Sequence, residues 1–247
     1  MKKDITWQLF LAAGLTALSA LLYYVHYLIF GDARHIFIYL LGDIAFIPIE
    51  VLIVTIIIHQ LLSIREKRSR MDKMNMVIGA FFSEVGTHLL ATFSRLDRRI
   101  DDIRERLVFK NDQPGIEFER IISYLKSHSY EVQAKSEDLE SIKSFLASKR
   151  DFLLRLLENS NLLEHESFTD LLRAVFHMTE EFTSRQTLKE LPAKDYEHMA
   201  GDIKRAYSLL MIEWMAYMKH LKAHYPFLFS LSIRTNPFDR SASVVIK

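Results

Sequence analysis

Residues 36–62 read IFIYLLGDIAFIPIEVLIVTIIIHQLL, and only Asp43 and Glu50 in that stretch carry a formal charge. A helix of this length, rising about 1.5 Å per residue, is long enough to cross the ~30 Å hydrocarbon layer of a bilayer. Immediately upstream, residues 7–30 (WQLFLAAGLTALSALLYYVHYLIF) carry no formal charge at all. The link at residues 31–35 leaves room only for a tight antiparallel turn. The sequence therefore predicts a transmembrane hairpin over 1–64, with spans at about 7–30 and 36–62. A cleaved signal peptide is the competing reading, with Lys2 and Lys3 as its basic start and Ala17-Leu18-Ser19 as a small-residue site. The apolar run continues past that site to Phe30 and resumes at Ile36, which favours the hairpin.

Composition divides the chain at the same place. Residues 1–64 hold seven charges, and the other 56 lie in residues 65–247, 29 basic and 27 acidic. Such a near-neutral balance gives no reason to expect nucleic acid as a partner. With no Cys in 247 residues, disulfides, thiolate metal sites and cysteine nucleophiles are excluded. Lys2 and Lys3 precede the first span, Arg65, Lys67, Arg68, Arg70 and Lys73 follow the second, and the turn offers Arg34 alone. Positive-inside bias predicts a multi-pass protein of the cytoplasmic membrane with both termini in the cytoplasm. Tyr23, Tyr24, Tyr27 and Tyr39 at the outer end and Trp7 at the inner end suit the interfacial belts. A third apolar stretch, residues 74–93, contains Asn75, Glu84 and His88 between basic flanks, and reads as a buried cytoplasmic helix, with a place at the membrane surface as the alternative.

Asp43 and Glu50 lie seven residues apart, so about 20° of azimuth and ~10 Å of height separate them on one helix face. Each costs about 2.5–3.5 kcal/mol to insert near the bilayer centre. The span's eighteen Ile, Leu, Val and Phe return roughly 9 kcal/mol, so insertion survives but the acids do not help it. Continuing that face gives Ile47, Val54, Ile57 and Leu61. With several copies around an axis, the acids become stacked rings that attract inorganic cations. Val54, Ile57 and Leu61 become a hydrophobic gate. Pro48 removes a backbone bond between the acids and is expected to kink the helix, and Gly42 allows close approach above Asp43. The alternative is hydrogen bonding inside the hairpin, Tyr23 to Asp43 and Thr16 to Glu50, with Ala12, Thr16, Ser19, Tyr23 and His26 as a packing stripe. A proton relay is the third option.

Beyond residue 64 the pattern is helical. Met71, Met74, Ile78, Phe81 and Val85 step by three and four; Leu89, Phe93, Leu96, Ile100, Ile103 and Leu107 continue after a stutter at 85–89. This predicts a long juxtamembrane, coiled-coil-like helix over 65–110, packed either against other copies or within its own bundle. Gly79, Ser83 and Thr87 make a small-residue row on it. The run RLDRRIDDIRER at 95–106 reads as a solvated flank with i,i+4 pairs Arg98–Asp102 and Asp102–Arg106. Asn111-Asp112-Gln113-Pro114-Gly115 breaks the rod. A cytoplasmic helical bundle over 111–225 follows, with helices at roughly 116–128, 136–164, 168–190 and 193–224, Ser167 capping the third of these. The last has a core stripe of Ile203, Tyr207, Leu210, Trp214, Tyr217 and Leu221. In the tail, 226–247, residues 227–233 alternate like a short strand, Asn236-Pro237-Phe238-Asp239 is a turn, and Val244-Val245-Ile246 is a second strand candidate.

No phosphate-binding glycine motif, G-x-S-x-G or H-E-x-x-H occurs. The metal candidates are His177-x-x-x-Glu181 and His220-x-x-x-His224, with Glu84-x-x-x-His88 and Asp195-x-x-His198 looser. The first two resemble haemerythrin in spacing and order, but the further His-x-x-x-x-Asp after His224 is missing. His220 and His224 are read more simply as cations at a helix C-terminus before Pro226. No cofactor, resident metal or enzymatic centre is expected. The expectation is an all-α membrane protein that self-assembles, with five copies to a ring as the working number, into a cation pathway. The alternative is a membrane-anchored scaffold or signalling module whose bundle binds a cytoplasmic protein.

Overall fold

The computed structural model describes residues 2–109, 115–159, 162 and 165–245, with side chains from residue 7 onward except at 68–70. The break at residues 111–114, the end of the expected 136–164 helix at 160, 161, 163 and 164, and Ile246 of the second strand candidate lie outside them. The chain is all-helical, in two compact units, Met1–Lys67 and Arg68–Lys247.

The first unit contains α1 (Lys2–Phe30) and the start of α2 (Ala33–Phe81). The turn is shorter than the sequence suggests, only Gly31 and Asp32. Gly31 adopts φ +63°, the left-handed conformation that ends a helix, and its N–H donates to the Tyr27 carbonyl at 2.8 Å. Asp32 Oδ1 then accepts from the Arg34 N–H at 2.8 Å, satisfying an orphan donor at the start of α2. Around the turn, His26 Nε2 and His35 Nδ1 stand 3.2 Å apart, and the rings of Phe30 and Tyr39 pack on His35. Elsewhere the unit has no interior. From Trp7 to Lys67 no residue is buried, and only His26, His35, Ile36 and Leu40 are even half-covered.

The second unit has a genuine core. The end of α2 passes into a π-helical turn, Phe82–Gly86, then α3 (Thr87–Leu96). This wide turn sits at the stutter read from the sequence and absorbs the surplus residue. It brings consecutive rings inward: Phe81 meets Phe168 edge-on at 5.3 Å, and Phe82 stacks on Tyr217 at 5.4 Å. Every seam residue from Met74 to Leu107 is buried within the chain's own domain, so this stripe is core and not an inter-subunit coiled coil. Met71 alone is exposed. The 74–93 stretch buries one face, while Met76, Ala80, Ser83, Glu84 and His88 on the other are exposed.

The predicted rod does not run on to residue 110. Asp97 leaves the helix in extended conformation and forms an isolated antiparallel bridge with Val132. Its Oδ1 accepts from the N–H groups of Arg99 and Glu131, each at 3.0 Å, before α4 (Asp101–Leu107) begins. The flanking ion pairs therefore change register, to Arg99–Asp102 at 3.1 Å and Arg104–Asp101 at 2.5 Å. Then follow α5 (Phe118–Ser127), α6 (Ser136–Leu157), α7 (Glu166–Thr183) and α8 (Ala193–His224). Helix α8 packs against α3, α5, α7 and α9. Of its predicted stripe, all but the half-covered Tyr217 is buried. The cap of α7 is His165, whose Nδ1 accepts from the Phe168 N–H at 3.2 Å, and not Ser167.

The tail corrects another expectation. Residues 226–234 form helix α9 (Pro226–Arg234), with Pro226 in its first turn and Phe229 and Ile233, four apart, buried. Among the described residues there is no β-strand, and Val244 and Val245 are exposed. The Asn236 turn does form, and Asn236 is buried, its Nδ2 donating to the Leu107 carbonyl at 2.7 Å.

Candidate functional site

On α2, Asp43 and Glu50 are both exposed, as are Ile47, Val54, Ile57 and Leu61 on the same helical face. The helix runs through Pro48 without interruption, and nothing lies within 4 Å of a Cβ added at Gly42. The alternative hairpin hydrogen bonds for the acids do not form among the described residues. The Thr16 hydroxyl instead donates to the Ala12 carbonyl one turn back, at 2.9 Å, and Tyr23 is exposed. Residues 36–58 of α2 thus present an almost wholly apolar surface broken by two carboxylates that lack a partner on α1.

A denser group of charges lies between α7 and α8. His177 and Glu181 occupy one face of α7, one turn apart, and Asp195, His198 and Asp202 climb the facing side of α8. The structure brings together His177–Glu181 and the looser pair Asp195–His198, which the sequence offered separately, and adds Asp202. Asp202 is 3% exposed; its Oδ2 lies 3.5 Å from His198 Nε2 and 3.8 Å from His177 Nε2. His198 Nε2 is also 3.9 Å from Glu181 Oε2. Arg205 approaches the other Asp202 oxygen at 3.6 Å. Arg185 closes the edge, donating to Glu181 Oε2 at 2.8 Å and forking onto both Asp195 oxygens at 3.1 and 3.3 Å. Those charge-assisted bonds hold the Glu181 and Asp195 carboxyls below their ordinary pKa values. Asp202 escaped the sequence reading, although His198-x-x-x-Asp202 repeats the i,i+4 spacing of His177-x-x-x-Glu181.

The other candidate pairs do not converge. His220 and His224 stack with centroids 4.5 Å apart, His220 Nδ1 meets Asn75 Nδ2 at 3.2 Å, and His224 Nδ1 turns to the His220 carbonyl. Burial, and then the charge of His224, push the His220 pKa down, against its reading as a helix-terminal cation. Glu84 pairs with Lys149 at 2.7 Å, while His88 stacks on Phe145. Near α9, a groove of about 500 Å³ is lined by Met76, Gly79, Ala80, Tyr217, Phe227 and Leu228. Met76 and Phe227 beside it are largely exposed. A Cβ added at Gly79 would lie 2.8 Å from the Tyr217 hydroxyl, so a larger residue there must displace the end of that side chain.

These features define an all-helical protein with two N-terminal helices long and apolar enough to cross a membrane, followed by a helical domain. The family description "MJ1433, N-terminal helical domain" matches residues 2–62, and "Uncharacterized protein MJ1433, C-terminal helical domain" matches residues 70–234. The chain belongs to the MJ1433 family. It is 42% identical over 242 residues to the uncharacterized protein MJ1433 of Methanocaldococcus jannaschii, covering 98% of this chain and 97% of that protein. No solved structure matches it.

Proposed function

We propose that the chain is a two-span protein of the cytoplasmic membrane, with both termini in the cytoplasm, whose second span lines a cation pathway in a homo-oligomer. The observation that carries this reading is the state of Asp43 and Glu50: exposed on one face of α2, without a hydrogen-bonding partner on α1. Acids inserted at a cost of about 2.5–3.5 kcal/mol each call for water, ions or another subunit around them. One hairpin cannot enclose a pore, so about four to six copies must converge. Asp43 and Glu50 then concentrate cations, Ile47 lies between the rings, and Val54, Ile57 and Leu61 close the path by dewetting.

The test is oligomeric mass in mild detergent, followed by planar-bilayer recording in asymmetric potassium chloride. A ring of four or more with cation-selective current is expected, and the Asp43→Asn, Glu50→Gln double variant should keep its mass and lose selectivity. A monomer, or an oligomer without current, refutes the pathway. The second reading, an anchored module that binds a cytoplasmic protein, draws support from the apolar groove beside the exposed Met76 and Phe227.

A further inference from the structure

We propose that His177, His198 and Asp202, with Glu181 beside them, form a binding site for a divalent transition-metal ion between α7 and α8. The proposal starts from an orphan. Asp202 is almost completely buried, and its Oδ2 accepts no hydrogen bond. A carboxylate oxygen withdrawn from water without a hydrogen bond is costly, and a bound ion between it and the groups it faces would offset that cost. What faces it is a pair of imidazole Nε2 atoms at 3.5 and 3.8 Å, beyond the 2.7–3.2 Å span usual for N–H···O bonds.

That spacing suits a shared cation. In a tetrahedral zinc site with bonds of about 2.0–2.2 Å, neighbouring donor atoms stand about 3.3–3.5 Å apart. His198 and Asp202 already have that separation, while His177 to Asp202 at 3.8 Å and Glu181 to His198 at 3.9 Å each exceed it by about half an ångström or less. Among the described residues no group of three or more His, Asp or Glu is already set to hold a metal. Closure therefore requires the two imidazoles to rotate toward Asp202 Oδ2. Both rings are about half exposed, so no core packing opposes the movement.

The helical register supports the same assignment. Each helix supplies a histidine and a carboxylate one turn apart, an arrangement by which helical bundles build metal sites from facing helices. With neutral imidazoles, Glu181, Asp195 and Asp202 outweigh Arg185 and Arg205 by one negative charge, which favours a dication. Glu181 Oε2 is already held by Arg185, so the primary ligands are His177, His198 and Asp202. The fourth position is shared between Glu181 and solvent. Two imidazole nitrogens select a transition ion over magnesium or calcium, and zinc best suits a four-coordinate N/O set.

The experiment uses the full chain, purified in mild detergent and stripped with EDTA. Zinc is titrated against a chromogenic chelator, and cobalt(II) is added separately as a spectroscopic probe. One ion per chain is expected, with the visible absorption of four-coordinate cobalt. The His177→Gln, His198→Gln double variant replaces two half-exposed side chains and should keep its helical circular dichroism. It should bind zinc at least ~100-fold more weakly, beyond the loss expected from an outer-shell change alone. Asp202→Asn should weaken binding similarly, and His220→Ala, His224→Ala should leave it within twofold. Wild-type protein that binds zinc no tighter than the His177→Gln, His198→Gln variant overturns the site, as does loss of binding in the His220→Ala, His224→Ala variant.

Discussion

Replacing Asp97 with alanine tests the corner that ends the long apolar seam. Asp97 Oδ1 accepts two backbone N–H groups, from Arg99 two residues on and from Glu131 across the bridge, each at 3.0 Å, and the side chain is 3% exposed. A hydrogen bond to a charged acceptor contributes about 1.5–3 kcal/mol net, so the pair represents roughly 3–6 kcal/mol. Against this stands relief from burying the charge, since Asp97 Oδ2 has no hydrogen-bond partner. The expected net loss is about 2–4 kcal/mol. For a domain of this size, each 1 kcal/mol moves the melting temperature by about 2–4 °C, so Asp97→Ala should melt roughly 4–16 °C lower. Asp97→Asn, which keeps an oxygen at Oδ1, should lose less than half of that. Thermal unfolding by circular dichroism at pH 7.5 measures both. An Asp97→Ala melting temperature within 2 °C of wild type, or an Asn variant as damaged as the Ala variant, refutes the account.

Gly86→Ala should destabilise by about 1–3 kcal/mol through overpacking, because a Cβ there would lie 2.5 Å from the Phe82 ring and 3.0 Å from that of Phe81; denaturant titration reads the loss directly. His88, His128 and His220 all have pKa values lowered, chiefly by burial. Their unfolded forms therefore bind protons first, and the stability gained from keeping them neutral is complete above about pH 6.5 and declines as pH falls below it. Melting temperature should drop between pH 7.5 and 5.5, above the range where the depressed carboxylates titrate, and the drop should be smaller in His220→Gln.

The seam of the second unit was legible because steps of three and four from Met74 to Leu107 survive every interruption of the backbone. The interruptions were harder to see. The stutter at 85–89 announced an irregularity, and the structure resolves it as a π turn. Asp97 gave no sign, since its role depends on a backbone N–H 34 residues away. Phe227-Leu-Phe-Ser-Leu-Ser-Ile233 satisfies both a two-residue and a four-residue period, and Pro226 at the helix start decides for the helix. At the α7–α8 cluster, spacing supplied the pairs His177–Glu181 and Asp195–His198. Only tertiary packing could face them across two helices, and only burial distinguishes Asp202 from the other acids. The hairpin was read from the lengths of its apolar runs, their short link and the flanking charges, and its turn proved tighter because Gly31 and Asp32 suffice to stop one helix and start the next.

The π turn at Phe82–Gly86 works as a phase corrector. An α-helix advances about 100° per residue, so one surplus residue would rotate the following apolar stripe away from the interior. Widening a single turn cancels that rotation, and the stripes of α2 and α3 share one core although their spacing fits no regular repeat. Deleting one residue within this turn would therefore return the segment to ordinary α-helical winding, whereas the same deletion one turn to either side would swing half of the seam out of register.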